Sequence, residues 1–221
     1  MSAQLRTIVH LIRHGDALPD DGTVFRGAAG YDDLGLNAKG LAQAGALARR
    51  LAGSLQLSAV LSSPTRRAYE TAAGIATASG LAVTTDERLR EIGLGDESLP
   101  STLEHHERAT AIRSRLASLA QIALRDGSWA SVADAEPAAD VRARIAQAVG
   151  DAARAHPGSH VALVSHAGTI NAYFAALLGT ARDFFFAIGN TSLSSVRIAG
   201  DDALVLRLND TGHLEVHATA R

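Results

Sequence analysis

Two short apolar runs constrain this chain more than anything else in it. Residues 7–16 read T-I-V-H-L-I-R-H-G-D, and His160–Ser165 read H-V-A-L-V-S, with His166 next and Gly168 two residues on. β-Branched and apolar residues in short runs bounded by polar ones predict buried strands, with His10 the odd member of the first. Each run delivers an imidazole at its carboxyl end, and the first delivers Arg13 as well. Open α/β sheets bind ligands at the carboxyl ends of their strands. Taken alone, Arg13-His14-Gly15 is too common a tripeptide to carry a function, so its partners have to come from elsewhere in the chain.

The segments between these runs predict alternating helices and strands. Residues 16–35 are rich in Asp, Gly and Ala and predict a loop, in which Arg26 either reaches a ligand or is solvated. Asn37 is placed as the cap of a helix over 38–55, with Leu41, Ala44, Leu47, Ala48, Leu51 and Leu55 on one apolar face. A brief strand over 59–62 leads to a helix capped by Ser63, with Pro64 in its first turn and Gly80 at its end. Arg66 and Arg67 fall at the start of that helix, where the dipole disfavours cations and an arriving anion would compensate them. Of the two, Arg66 is the better candidate for a solvated residue.

A strand over 81–85 precedes a loop, 86–95, with three carboxylates: Asp86, Glu87 and Glu91. Helices follow over 102–125 and Ala138–Ala155, separated by a loop with the single tryptophan, Trp129. His105 and His106 are adjacent on the first of these helices and so do not share a face, which suits surface histidines better than a metal pair. A helix over 169–178 follows the second run. Strands over 193–198 and 203–208 flank a Gly200-Asp201-Asp202 turn, and 209–221 are expected to be irregular or a last edge. No repeat or linker divides the chain. The alternation argues for one α/β domain with a largely parallel sheet between helices.

With 221 residues, 47% of them hydrophobic, the chain can bury one sizeable core. Its net charge of −2 offers nothing global to nucleic acid or an anionic membrane, so any anion site has to be local. It has no cysteine, which excludes disulfides, thiolate metal sites and a cysteine nucleophile. Residues 1–7 lack a signal-peptide pattern, and no run of about 18 apolar residues is present. A cytoplasmic protein is expected.

The polar groups offered at strand ends and helix starts are Arg13, His14, Arg67, His166 and one or more of the three carboxylates. Two arginines suit non-bridging phosphate oxygens. A neutral histidine can attack phosphorus and carry the phosphoryl group, while a second stabilises charge during in-line transfer. A carboxylic acid can protonate the leaving alkoxide and later accept a proton from water. His14 and His166 each lack a paired ligand nearby in sequence, which argues against a metal centre.

These residues resemble the histidine phosphatase superfamily, also called the phosphoglycerate mutase-like family, over most of the chain. Leu11-Ile12-Arg13-His14-Gly15 is similar to its N-terminal signature. Leu36-Asn37-Ala38-Lys39-Gly40 with Gln43-Ala44 resembles its L-T-x-x-G-x-x-Q-A element. Ser62-Ser63-Pro64-Thr65-Arg66-Arg67-Ala68 with Thr71-Ala72 resembles S-S-P-x-x-R-A-x-x-T-A and selects Arg67 over Arg66. Leu89-Arg90-Glu91 with Gly95 resembles L-x-E-x-x-x-G and selects Glu91. Val164-Ser165-His166-Ala167-Gly168 is similar to V-S-H-G-G, and Asn190-Thr191-Ser192 to a late N-x-S element.

The resemblance implies a three-layer α/β/α sandwich with a mostly parallel central sheet, spanning 1–221 as one domain, with a variable cap over about 96–136. It implies a phosphohistidine on His14, a phosphate pocket of Arg13, His14, Arg67 and His166, and Glu91 as proton donor, with no metal and no cofactor. The substrate would be a small phosphorylated metabolite, with neither nucleic acid nor membrane as partner; many family members are dimers, which leaves a homodimer open. Departures fall on the rim: Asp16-Ala17 where Glu-Thr is frequent, Asp96-Glu97 after Gly95, and Ala135-Glu136-Pro137 where Gly-Glu-Ser is common. The mutase branch's Trp-Asn pair and Thr-Gly-Trp element are missing. A phosphomonoesterase is therefore favoured over a phosphoglycerate mutase, and both over a catalytically weak phosphate-binding module.

Overall fold

A computed structural model describes residues 5–18, 33–94 and 105–215. In chain order these form β1 (Thr7–Arg13), α1 (Ala38–Ser54), β2 (Leu57–Ser62), α2 (Arg66–Ser79), β3 (Val83–Thr85), α3 (His105–Asp126), α4 (Ala138–Ala155), β4 (His160–Ser165), α5 (Ala167–Leu178), β5 (Leu193–Ala199) and β6 (Asp202–Asp210). Short 3-10 turns lie at Glu87–Leu89 and Gly212–Leu214. The positions of Arg26, Gly95 and 96–104, and the side chains of His105 and His106, fall outside the described residues.

The strands form one sheet in the order β3-β2-β4-β1-β5-β6. β3, β2, β4 and β1 run parallel, while β5 and β6 return antiparallel along one edge. The sheet is thus mostly parallel, as expected, and helices cover both faces. Alternation along β1 sends Val9 and Leu11 into one core with Ile145, Val149, Ile170 and Phe174 of α4 and α5. Ile12 enters the opposite core with Leu47 and Leu51 of α1 and Ile75 of α2. Each such large apolar side chain contributes about 1.5–3 kcal/mol by leaving water.

Local chemistry sets the element ends. The Asn37 side chain accepts from Gly40 N at 2.8 Å and caps α1. Gly80 and Gly179 close α2 and α5 in the left-handed conformation, each with φ of 67°.

Several boundaries differ from the sequence reading. β2 begins at Leu57 rather than at residue 59. α2 begins at Arg66 with Thr65 at its cap, so Ser63 and Pro64 precede the helix. α5 starts at Ala167 rather than at residue 169, with His166 itself at the cap position. Leu41 is 57% exposed and does not join the buried side of α1. β6, an edge strand, continues to Asp210 rather than ending at residue 208, and a 3-10 turn follows it, in the stretch expected to be irregular or a last edge. Among the described residues no helix is long and apolar enough to cross a membrane.

Candidate active site

β1 and β4 are hydrogen-bonded neighbours in parallel, with Arg13 opposite Ser165. The residues that follow, His14 and His166, therefore emerge side by side at the carboxyl edge of the sheet. Their ring centroids are 5.0 Å apart with planes tilted by 60°. His14 N donates to Ser165 O at 3.0 Å, continuing the ladder past the strand end. The Asn190 side chain donates to His14 O at 3.1 Å and ties in the turn before β5.

The hydrogen bonds fix the tautomers of both rings. A carbonyl only accepts, so His14 Nδ1 donates to Gly15 O at 2.7 Å. Arg67 Nε only donates, so His14 Nε2, 3.2 Å away, presents its lone pair. Arg67 Nη2 stands 3.3 Å from His166 Nδ1, which likewise accepts. His166 Nε2 then carries the proton, facing Ser63 Oγ at 3.0 Å and Thr65 Oγ1 at 3.3 Å. Both rings are buried. Burial, with Arg67 and Arg13 next, pushes His14 well below the ordinary imidazole value, against a smaller opposing effect of the Gly15 bond. Burial, Arg67, His14 and Arg13 push His166 the same way, with a smaller contribution from Arg144.

Arg13 points inward from the last position of β1 and donates from Nη1 to Ile188 O at 2.5 Å. Its Nε is buried with no partner among the described residues. Burial lowers its guanidinium value, Glu91 opposes that, Arg67 adds to it, and Asp16 opposes it again. Two guanidinium groups thus share a water-poor pocket with two neutral imidazoles, an arrangement that favours an entering anion.

The three candidate carboxylates separate clearly. Asp86 caps the 3-10 turn and binds Arg88 at 2.7 Å. Glu87 is an exposed partner of Arg90. Of the three, only Glu91 acts on Arg13 and reaches the start of the helix that follows His166. Helix α5 has no side-chain cap of its own, and Glu91 supplies one. Its Oε1 accepts from Thr169 N at 3.1 Å and its Oε2 from Gly168 N at 3.4 Å, with Thr169 Oγ1 3.3 Å from Oε1. A carboxylate there also complements the helix dipole. A Cβ at position 168 would lie 2.7 Å from Glu91 Oε1 and 2.3 Å from Ile92 Cδ1, so glycine makes this approach feasible.

The structure therefore brings Arg13, His14, Arg67, Glu91 and His166 together. Arg66 is a different case: Asp33 accepts from its backbone N–H at 2.9 Å, and Glu70 binds its side chain at 2.6 Å. The anion inferred at this helix start is, for Arg66, supplied by the chain itself. Sequence reasoning missed Ser63 and Thr65 as partners of His166, having read Ser63 only as a cap. It also missed Thr71, whose hydroxyl accepts from Gly15 N at 3.0 Å. Among the described residues no three His, Asp or Glu side chains gather as a metal-ligand set.

Residues 9–211 match the model of the histidine phosphatase superfamily, branch 1. The phosphoglycerate mutase-like protein 4 of Arabidopsis thaliana is 30% identical over 93% of this chain and 86% of its own length. A glucosyl-3-phosphoglycerate phosphatase of Mycolicibacterium vanbaalenii is 32% identical over 86% of this chain and 83% of its own. Among solved structures, Bacillus stearothermophilus YhfR superposes with a TM-score of 0.74 at 28% identity, covering 95% of this chain and all of that one.

Proposed function

The chain belongs to the histidine phosphatase superfamily, and from that premise we propose that it is a single-domain phosphomonoesterase acting on a small phosphorylated metabolite. The observation that carries this reading is the sharing of Arg67 between the lone pairs of His14 and His166, at 3.2 and 3.3 Å. One guanidinium there both keeps the nucleophile neutral and waits for phosphoryl oxygens.

In the proposed reaction the phosphate group of the substrate enters between Arg13 and Arg67. Arg67 Nε turns from His14 Nε2 to a phosphoryl oxygen, which frees the lone pair. His14 Nε2 then attacks phosphorus in line, and the bond from phosphorus to the ester oxygen breaks. Glu91, protonated in the productive complex, gives its proton to the departing oxygen. The alcohol leaves. Glu91, now a carboxylate, takes a proton from water, the water oxygen attacks phosphorus, the Nε2–P bond breaks and inorganic phosphate departs. His166 Nδ1 accepts from Arg67 before substrate arrives. The charge of an entering dianion favours protonation there, after which His166 donates to a phosphoryl oxygen. Arginine charge carries the electrostatic stabilisation in this scheme.

Rapid quenching with a labelled substrate tests it. A base-stable, acid-labile phosphoryl group should appear on His14, and His14→Ala should lose both the label and turnover. Retained turnover in His14→Ala would sink the mechanism. The mutase reading draws on the 30% identity to a mutase-like protein. Incubation with 3-phosphoglycerate and a bisphosphoglycerate primer separates the two: free phosphate supports the phosphatase, stoichiometric 2-phosphoglycerate the mutase.

A further inference from the structure

Glu91 stands on a segment with almost no secondary structure to hold it. Beyond the 3-10 turn, residues 90–93 belong to no helix or strand. Buried backbone carbonyls need partners, and here side chains supply them. Ser165 Oγ donates to Leu89 O at 2.7 Å, and Thr169 Oγ1 to Arg90 O at 2.5 Å. The remaining bonds converge on one residue of α4, Arg144.

All five N–H donors of the Arg144 guanidinium are spent. Nη1 donates to Arg88 O at 2.7 Å and Arg90 O at 2.9 Å. Nη2 donates to Glu91 O at 3.2 Å and Glu136 Oε2 at 2.9 Å, and Nε to Glu136 Oε1 at 2.7 Å. Glu136 in turn accepts from Gly93 N at 3.2 Å through Oε2, and its own N–H donates to Gly93 O at 2.6 Å. Arg144 holds the Glu136 carboxyl below the usual carboxylate range, so the pair is ionised. The planar fork of arginine matches this set of acceptors, whereas a lysine has three donors on a flexible stem.

We propose that Arg144, braced by Glu136, is a positioning residue that sets the reach of the Glu91 carboxyl toward the leaving oxygen. This rests on the assignment of Glu91 as proton donor. A proton transfer depends steeply on donor–acceptor distance, and a misplacement of about 1 Å costs on the order of 100-fold. The loop's carbonyls are therefore gripped at 88, 90 and 91, on both sides of the Glu91 Cα.

The test compares kcat/KM for p-nitrophenyl phosphate, whose leaving group departs without a proton, with kcat/KM for β-glycerophosphate, whose leaving group needs one. Arg144→Lys keeps the charge and loses the fork. The aryl-to-alkyl ratio should rise about 10- to 100-fold in this variant. Glu136→Gln should move the ratio in the same direction, less far. Glu91→Gln sets the ceiling, and adding Arg144→Lys to it should raise the ratio no further. Equal loss on both esters, or additive effects in the double variant, would overturn the inference. A ratio that rises in Glu91→Gln but not in Arg144→Lys overturns the inference alone. A ratio unmoved in Glu91→Gln removes the proton-donor assignment, and the inference falls with it. If Arg144→Lys does not fold, Glu136→Gln decides by the same ratio.

Discussion

Arg67 Nε lies 3.2 Å from His14 Nε2, so the cation that would grip a phosphate also touches the atom that would attack it. The contact sets the charge state of the ring. Protonating His14 would place a second proton against a guanidinium in a buried site, and burial and Arg67 both oppose that.

The pH dependence follows with a definite sign. The folded value of His14 lies well below 6.5, so the ring stays neutral until the pH falls through that lower value. The acid limb of kcat/KM should therefore lie below pH 6.5, with activity held from pH 7 to pH 6. Imidazole NMR titration of the free protein should show His14 neutral at pH 6. A midpoint at or above 6.5 would contradict this picture.

A buried histidine outside the site, His10, contributes to acid lability alongside His14 and His166. His10, buried in β1, bonds Ser195 at 2.8 Å and His160 at 3.0 Å, and its ring plane lies within 9° of that of His160 with centroids 5.3 Å apart. Burial, then His160 and Arg207, lower it from 6.5 to about 4. The unfolded chain binds this proton at higher pH than the folded one. Stability from a neutral His10 is thus fully present above pH 6.5 and lost as pH falls toward 4, a difference of about 3 kcal/mol. Urea unfolding at pH 7 and pH 4.5 should show it, and His10→Gln, which does not titrate there, should reduce the difference, the remainder coming from His14 and His166. An unchanged pH slope in that variant would refute the assignment.

Two glycines should respond oppositely to alanine. A Cβ at Gly40 would lie 2.0 Å from the Asp16 backbone oxygen, in the contact that seats the turn after His14 against α1. Gly40→Ala should cost about 2–3 kcal/mol and lower activity, since backbone must move. Gly74, inside α2, has open space around its missing Cβ. Gly74→Ala should stabilise by up to about 1 kcal/mol with activity unaffected. Thermal melts of the two variants check both signs.

The sequence exposed those features that rest on neighbouring residues. The β1 and β4 runs, the Asn37 cap and the Gly80 stop each follow from local composition, and each is present. The choice of Glu91 among three carboxylates did not follow from the residues alone; it needed the family resemblance, because what separates Glu91 from Asp86 and Glu87 is its contact with α5, a long way along the chain. The same distance hid Arg144, whose side chain reads from sequence as one more charge on a helical face. Leu41 failed for the converse reason: helical periodicity gives the direction of a stripe but not which of its positions are covered.

The two imidazoles owe their 5.0 Å spacing to the pairing of β1 with β4, and that spacing matches the interval of about 4.8 Å between any two neighbouring strands. The spacing of the two rings is therefore gauged by the most uniform dimension a protein has. Arg67 and Glu91 take their places from a helix start and a loop instead, each on a segment that follows a strand. A graft of new loops onto this sheet should therefore keep the spacing of the two rings, and would keep the rest of the constellation only if it left residues 62–71 and 86–94 in place.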